Sequence, residues 1–180
     1  MIIDLETNGL LNDATRIHCA AIHYCEDNQT DSYNDERIGK GMSSPVVRAI
    51  QHIEMADYII GHNIVGFDLP IIKSIYAWFN PIGIVIDTLL LSRLYHPNLL
   101  SIDKSYSERK KHKFQQIPDK LQGRHSLESY GYRLGEHKGD FGVDTDWSEW
   151  SQEMEDYCIQ DVKVTTKLCD HFLPYLTGSY

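Results

Sequence analysis

Long apolar runs, a secretory signal and an excess of basic charge are all missing from this sequence of 180 residues. No stretch approaches the roughly 20 apolar residues of a membrane span, and no basic segment with a small-residue cleavage site follows Met1. Lys and Arg number 17 against 26 Asp and Glu, so the formal net charge is −9. We therefore expect no membrane association, a cytoplasmic location, and no coating of nucleic acid through charge alone.

Closely spaced cysteine pairs are missing as well. Cys19, Cys25, Cys158 and Cys169 form no CxxC pair, and no two of the nine histidines stand at zinc-ligand spacing near a cysteine pair. We therefore expect no structural zinc, and free thiols in a reducing compartment rather than disulfides. No cysteine lies near a matching base in a recognisable motif, so a cysteine nucleophile is not expected either.

The patterning that is present predicts a single α/β domain over residues 1–180. Apolar residues make up 42 % of the chain, which is enough for a buried core. Strands are predicted at 1–6, 16–24, 58–61 and 82–87, with a further strand in 26–36, and helices at 44–57, 68–79, 87–95, 125–135 and 148–173. Because strands come first and then alternate with helices, we expect a central mixed β-sheet flanked by α-helices.

One segment without any period, residues 101–124, is predicted to be a long loop. It is polar and carries seven of the 17 basic residues of the chain, namely Lys104, Arg109, Lys110, Lys111, Lys113, Lys120 and Arg124. A loop of this length inside a compact domain is usually functional or disordered. Nearer the C-terminus, Trp147 and Trp150 precede the last helix, and we expect them to pack against the core.

Acidic residues stand where the predicted elements can bring them together. Asp4 and Glu6 alternate along the first strand and therefore share one face of it. Asp68 lies in GHNIVGFDLP between a strand and a helix, and Asp161 follows Tyr157 by one turn of the last helix. Taken singly, these residues are equally well explained as a solvated strand end, a helix N-cap and ordinary helix-surface residues.

The order of these residues along the chain favours chemistry over surface decoration. Clustered carboxylates repel one another and are costly to desolvate, and divalent cations with oxygen ligands, such as Mg²⁺, remove that cost. Two such ions roughly 4 Å apart can hold a phosphodiester, activate a water and stabilise the leaving oxygen. Three or four carboxylates from separate elements, with a phenol nearby, are what such a site requires.

Longer stretches around these acids resemble the DEDD superfamily of 3′–5′ exonucleases, in its tyrosine-bearing (DEDDy) branch. More narrowly, the chain resembles the proofreading domain at the N-terminus of phage replicative family A DNA polymerases. The matching stretches span nearly the whole chain: MIIDLETNGLL, RIHCAAI, GHNIVGFDLP, IDTLLLSRLYHPNL, GRHSLESYGYRLGEHKGDF and EMEDYCIQDVKVTTKL. Among them, IDTLLLSRL and LESYGYRLGEHKG are far more specific than the acids themselves.

The resemblance implies a ribonuclease H-like fold with a two-metal site that takes Mg²⁺ or Mn²⁺. It implies that Asp4, Glu6 and Asp161 bind one ion. Asp4 would bridge to a second ion, which Asp68 reaches partly through water. Tyr157 and Glu6 would position the water that attacks the phosphodiester.

The resemblance also suggests residues that contact the substrate. Thr7, Asn8 and Leu10 match positions that contact or wedge the terminal nucleotides. Asn63 matches a position on the substrate side of the site or one that supports it. In the basic segment, Lys110, Lys111 and Lys113 are candidates for contact with the DNA backbone, with a merely solvated loop as the alternative.

The expected activity is removal of nucleotides from single-stranded or frayed 3′ ends of DNA, as in replication proofreading. A 3′–5′ exoribonuclease and a non-catalytic module that docks on a polymerase are the alternatives. The resembled polymerases continue far beyond the matching segment, so both an excised domain and a stand-alone exonuclease with a separate polymerase partner fit. For a phage-encoded protein, the expected cytoplasm would be that of the host.

Overall fold

The computed structural model of the chain describes residues 1–36, 45–109, 117–136 and 146–179. Within these ranges no helix combines the length and the apolar character needed to cross a membrane. In the described residues, two layers of helices pack against the two faces of one sheet.

Five strands of the described residues form one mixed sheet in the order β3-β2-β1-β4-β5. They are β1 (Ile2–Thr7), β2 (Ile17–Tyr24), β3 (Gln29–Asn34), β4 (Tyr58–Gly61) and β5 (Ile84–Asp87). The first three strands are consecutive in the chain and pair antiparallel, whereas β4 pairs parallel to β1 and β5 parallel to β4. The mixed sheet predicted from the sequence is therefore confirmed, and β1 lies at its centre.

Six α-helices surround the sheet in the described part of the chain. They are α1 (Val46–Glu54), α2 (Asp68–Ile75), α3 (Thr88–Tyr95), α4 (Leu99–Arg109), α5 (Leu127–Leu134) and α6 (Gln152–Thr177), with a 3₁₀ turn at Asp119–Leu121. The prediction for α5 is confirmed by its ends, because Ser126 caps it and Gly135 ends it with a positive φ of 68°. Helix α2 ends at Ile75, four residues before the predicted end.

The predicted loop over 101–124 is wrong for its first part, which belongs to α4. Among the residues of this helix that face the interior, Leu99 and the partly buried Ile102 pack in an apolar cluster with Leu127 and Tyr130. One turn after Leu99, Asp103 is also buried. Its carboxylate accepts hydrogen bonds of 3.0 and 2.8 Å from Arg133. An acid therefore occupies a core-facing position of α4. Because that position is not apolar, the sequence does not show the apolar periodicity that predicts a helix.

The start of α1 also differs from the prediction, which placed Ser44 at the N-cap and Pro45 at the first helical position. In the structure Pro45 is the cap residue and the helix begins at Val46. The Val46 amide donates to the carboxylate of Asp35, at 2.9 Å, so a distant acid accepts a bond from the helix start. Ser44 itself lies outside the described residues.

Apolar side chains close both faces of the sheet. On one face Ile3, Leu5 and Ile22 pack in a cluster with residues of α1 and α2. On the other face Ile2 packs in a second cluster, which contains Cys19, Ala21, Ile60 and, from α6, Met154, Cys158 and Val162. Helix α6 therefore lies across the opposite face from α1 and α2, and this determines where the acids of β1 point.

Candidate active site

The two acids of β1 face helix α6. Ile3 and Leu5 point towards α1 and α2, so the alternating positions Asp4 and Glu6 point with Ile2 to the other face. Glu6 is buried and Asp4 is partly buried. The shared face predicted for this pair is thus present at the centre of the sheet.

Helix α6 brings Tyr157 and Asp161 to the same region. Its residues Met154, Cys158 and Val162 recur every four positions and form the stripe that packs on the sheet. Tyr157 and Asp161 each precede a member of that stripe, so both lie on the same flank of the contact. Asp161 is only 5 % exposed, which is unusual for a carboxylate that merely decorates a helix.

The thiol of Cys158 connects this helix to the acid pair. Single ligand atoms of Asp4, Glu6 and Cys158 all lie within 4.8 Å of one another. The Cys158 thiol donates to the backbone carbonyl oxygen of Asp4 at 3.3 Å. Burial, together with the neighbouring Cys19 and the charges of the two acids, raises the pKa of Cys158 well above its usual value. The thiol therefore stays protonated, and the carboxylates are the charged ligands of this group.

Asp68 reaches the site around the end of β4. The pairing of β4 with β1 involves Ile2 and Ile60 and does not extend to Leu5, whose backbone amide lies near enough to the Asp68 carboxylate to lower its pKa. Asp68 is the first residue of α2 and not its N-cap, which is Phe67, so the N-cap role considered for it is wrong. Its carboxylate is only 5 % exposed, and its own backbone amide also lowers its pKa.

Negative charges crowd around Asp68. Burial is the largest influence on its carboxyl group and, with the charges of Asp87 and Asp161, raises its pKa to about 7, although two backbone amides oppose the shift. The charge of Asp161 contributes to this shift, so Asp68 lies within electrostatic reach of the acid on α6. The four predicted carboxylates are thus brought to the same end of the sheet.

Asp87 is a member of this environment that the sequence analysis did not single out. It ends β5, is 6 % exposed, and caps α3 by accepting from the Leu89 amide at 2.9 Å. Its carboxylate also accepts from the amides of Asn63 and Val65, in the turn that precedes Asp68. An acid between a predicted strand and a predicted helix, in IDTLLLSRL, was the available signal.

The described residues predicted to contact substrate lie at the end of β1 and in two turns. Thr7 is buried and donates to the Gly9 carbonyl oxygen at 2.8 Å. The Asn8 side chain bonds to the Thr15 hydroxyl and accepts from the Thr15 and Arg16 amides at 2.9 and 3.0 Å. Leu10, by contrast, is 75 % exposed.

In the second turn, Asn63 is exposed and has a φ of 64°. The remaining predicted contacts, Lys110, Lys111 and Lys113, lie outside the described residues.

The two tryptophans that were expected to pack against the core do so. Trp147 and Trp150 both lie partly buried against the apolar cluster between the sheet and α6. Trp147 also packs edge-on against the ring of Tyr157, with 6.4 Å between ring centroids, and so supports the phenol.

The donor set of this cluster fits hard divalent cations. The charged groups are carboxylates, which Mg²⁺ and Mn²⁺ prefer, and the nearby thiol is kept protonated. Burial first, and then the charges of Asp87 and Asp161, raise the pKa of Asp68 and so disfavour its charged form. A cation that binds among these carboxylates would favour the charged form.

Comparison with known proteins gives relatives by sequence and by structure. No family model matches the chain. The DNA-directed DNA polymerases of Enterobacteria phage T3 and Escherichia phage T7 are each 30 % identical to it over 194 aligned residues. These alignments cover 96 % of the chain and 26 % of either polymerase, so the chain spans about a quarter of the length of these relatives.

Solved structures show the same fold at low identity. Brucella melitensis NrnC bound to pGG has a TM-score of 0.57 and 19 % identity, over 98 % of this chain and 74 % of NrnC. The zinc-bound E. coli exonuclease I complex with single-stranded DNA has a TM-score of 0.50 and 16 % identity, over 98 % and 41 % of the two chains. The chain is therefore similar in sequence to part of these phage polymerases and has the fold of NrnC and of exonuclease I. The predicted ribonuclease H-like fold and the resemblance to phage DNA polymerases are both confirmed.

The raised pKa of Asp68 predicts a stabilising substitution. Folded Asp68 binds its proton more tightly than the unfolded carboxyl, so its contribution to stability is present below about pH 4 and lost as the pH rises through about 7. Asp68→Asn should therefore raise the free energy of unfolding of the metal-free chain at pH 8, by at most roughly 4 kcal/mol. At pH 5 the gain should be much smaller. Urea unfolding in EDTA at both pH values measures it.

The matched control for this substitution is Asp103→Asn, which removes an equally buried carboxylate that is paired with Arg133. Because Asp103→Asn removes one partner of a buried ion pair, this substitution should lower the free energy of unfolding at pH 8. A lower stability of Asp68→Asn than of the wild type at pH 8 would contradict the electrostatic account of the site.

Proposed function

We propose that this chain is a metal-dependent 3′–5′ exodeoxyribonuclease. It would hydrolyse the 3′-terminal phosphodiester bond of single-stranded or frayed DNA and release nucleoside 5′-monophosphates. The observation that carries the proposal is the convergence of Asp4, Glu6, Asp68 and Asp161 at one end of the sheet, with Tyr157 on the same flank of α6. The homology with phage DNA polymerases supports DNA as the substrate.

In this proposal the carboxylates bind two divalent ions, Mg²⁺ or Mn²⁺. Asp4, Glu6 and Asp161 would bind one ion, and Asp4 and Asp68 the other. When bound, such ions lower the pKa of a water and neutralise the leaving 3′ oxygen. The carboxylates of β1 and α6 would hold the ions in a fixed place, because the two elements pack on each other through a shared apolar cluster.

Tyr157 and Glu6 would orient the attacking water. Tyr157 is half-buried and held edge-on by Trp147, so its phenol has little freedom to swing away. Trp147 in turn is fixed through its carbonyl oxygen, which lies 3.1 Å from Nε2 of the buried His18. A hydrogen bond from a phenol placed in this way can hold a lone pair of the water in line with the phosphorus.

The terminal nucleotides would lie against the two turns beside the acids. Leu10 has the exposed apolar side chain that a wedge between the last bases requires. Thr7 and Asn8 would act mainly by shaping the first turn, because their polar side-chain atoms are engaged within it. Asn63, in the second turn, would line the other side of the bound terminal nucleotides. Contacts of this kind with sugar, phosphate and base faces carry no sequence information, so no sequence preference is expected.

The cellular role in this proposal is proofreading beside a DNA polymerase. The relatives are polymerases, and the chain matches 26 % of their length, so a polymerase domain or subunit is the expected partner. Lys110, Lys111 and Lys113 are proposed to contact the DNA backbone away from the acids. The cytoplasm, or the cytoplasm of the host for a phage protein, is the expected location.

RNA is the second candidate substrate. The structure of NrnC bound to pGG has the same fold, although a likeness at 19 % identity does not by itself transfer a substrate. The proposed chemistry uses the phosphodiester and the 3′ oxygen and does not need the sugar 2′ position, so the same carboxylates can serve either nucleic acid. DNA is favoured because the relatives by sequence are DNA polymerases.

A single assay tests the reaction, its polarity and its site. A 5′-labelled single-stranded DNA oligonucleotide incubated with the chain and Mg²⁺ should give a ladder that shortens from the 3′ end. EDTA should abolish the ladder, and the Asp4→Ala, Glu6→Ala double variant should lose at least roughly 10³-fold in rate, since charge stabilisation of the transition state is removed. The Asp103→Asn variant, which alters a distant acid, should cleave at a rate close to that of the wild type.

The outcomes of this assay separate the candidates. A faster ladder on an RNA oligonucleotide of the same sequence would replace DNA by RNA as the substrate. No ladder on either nucleic acid with Mg²⁺ or Mn²⁺ would overturn the enzymatic proposal in favour of a docking module. Substantial Mg²⁺-dependent cleavage by the double variant would show that the carboxylates of β1 are not the site.

The phenol of Tyr157 gives a separate prediction. Tyr157→Phe keeps the ring that packs on Trp147 but removes the hydroxyl that would orient the water. We expect kcat on the DNA oligonucleotide to fall by roughly 10 to 100-fold, within the range for losing one positioned catalytic group. Binding of Mn²⁺, measured by titration calorimetry, should stay within about 3-fold of the wild type. Unchanged kcat would refute the role given to the phenol.

A further inference from the structure

Asp87 is buried beside the candidate active site, and neither the sequence motif nor the proposed mechanism gives it a role. We propose that Asp87 is a positioning residue whose carboxylate holds the turn at 62–66 and thereby sets the place of Asp68. This inference rests on the proposed function for its catalytic consequence. Its structural part can be tested without any activity.

The carboxylate of Asp87 binds two elements at once. Oδ1 accepts from the Leu89 amide at 2.9 Å and so caps α3, and it accepts from the Asn63 amide at 3.0 Å. Oδ2 accepts from the Val65 amide at 3.2 Å. Since β5 pairs with β4 up to Asp87 and Gly61, the carboxylate lies directly beside the place where the chain leaves β4. One side chain therefore joins the start of α3 to the turn that follows β4.

The bonds of the turn pass this constraint on to Asp68. The carbonyl oxygen of Asn63 accepts from the amides of Gly66 and Phe67, both at 3.0 Å. The carbonyl oxygen of Ile64 then accepts from the Leu69 amide at 3.1 Å. Asp68 lies between two residues whose amides are bound in this way, so its backbone has little freedom. The turn that Asp87 holds is thus the turn that aims the Asp68 carboxylate.

The turn has a shape that needs such a restraint. Asn63 has a φ of 64°, a conformation that costs free energy for a residue other than glycine. Gly66 approaches it so closely that a Cβ there would lie 2.6 Å from the Asn63 side-chain oxygen. Thr88 adds a second tie, because its hydroxyl donates to the Gly61 carbonyl oxygen at 3.2 Å and lies 3.0 Å from Nδ1 of His62.

A helix cap alone does not explain a carboxylate at this place. Serine or asparagine caps a helix about as well as aspartate does. A second negative charge beside the buried Asp68 also costs free energy through repulsion. The property that aspartate adds is a second acceptor oxygen, and the structure uses it for the Val65 amide. The carboxylate is therefore explained by the turn, and through it by Asp68.

Two substitutions separate the turn from the helix cap. Asp87→Ser keeps an oxygen that can cap α3 but is too short to reach the Asn63 and Val65 amides. Asp87→Asn keeps the Oδ1 bonds and presents an amide group to Val65, so only that bond is lost. Asp103→Asn is the matched control, because Asp103 is a buried acid that also accepts from a backbone amide, that of Gly123, at 2.7 Å.

The first measurement is amide hydrogen exchange on the full chain, followed by mass spectrometry of peptides. In Asp87→Ser we expect exchange across 63–69 to become at least about 10-fold faster, while peptides from α3 and α6 keep the wild-type rate. Asp87→Asn should show a smaller change at the same place, and Asp103→Asn none there. Wild-type exchange across 63–69 in Asp87→Ser would overturn the inference.

The second measurement follows metal binding and catalysis. Loss of a residue that orients a metal-binding side chain typically weakens metal affinity or activity by roughly 10 to 100-fold. Asp87→Ser should therefore weaken Mn²⁺ binding by that factor in calorimetry. It should lower kcat on the DNA oligonucleotide similarly, while KM for the oligonucleotide changes by less than about 3-fold. A loss confined to KM, or wild-type Mn²⁺ affinity, would contradict positioning of Asp68.

These measurements distinguish failure of the inference from failure of the proposed function. If the wild type cleaves DNA and Asp87→Ser behaves like it in exchange and Mn²⁺ binding, only the inference fails. If the wild type cleaves neither nucleic acid, the proposed function fails, and exchange together with Mn²⁺ affinity still decides whether Asp87 positions Asp68.

Discussion

The removal of neighbouring carboxylates from water is the constraint on which this structure depends. Asp4 and Glu6 point from the central strand into the seam with α6, where Asp161 lies buried, and Asp68 arrives from the far side of β4. Apolar contacts between the sheet and Met154, Cys158 and Val162 hold these acids together. The folding energy of the whole domain thus maintains a concentration of negative charge that no isolated helix or strand could keep.

Backbone amides make that concentration tolerable without neutralising it. The backbone amides of Leu5 and Asp68 lower the pKa of the Asp68 carboxyl group, and the amides of Asn63, Val65 and Leu89 donate to Asp87. Each amide offsets part of the desolvation cost of a carboxylate. The raised pKa of Asp68 shows that the offset is incomplete. Carboxylates that are buried and only partly compensated by amides are expected to bind divalent cations.

The sequence predicted the acids and most of the elements because their signals are local. The alternation of Asp4 and Glu6, the helical spacing of Tyr157 and Asp161, and the caps of α5 each lie within a few residues. The bonds of Asp87 to the turn at 62–66 could not be predicted, because the Asn63 and Val65 amides lie more than 20 residues away. Helix α4 was missed for a similar reason, since Asp103 becomes a core residue only through Arg133 on another helix.

The central claim is that Asp4, Glu6, Asp68 and Asp161 together bind two divalent ions. The most direct test is anomalous X-ray diffraction from crystals of the chain grown or soaked with Mn²⁺. The account predicts two peaks roughly 4 Å apart, one contacting Asp4, Glu6 and Asp161 and the other contacting Asp4 and Asp68. No peak among these carboxylates, or peaks bound elsewhere on the chain, would contradict it.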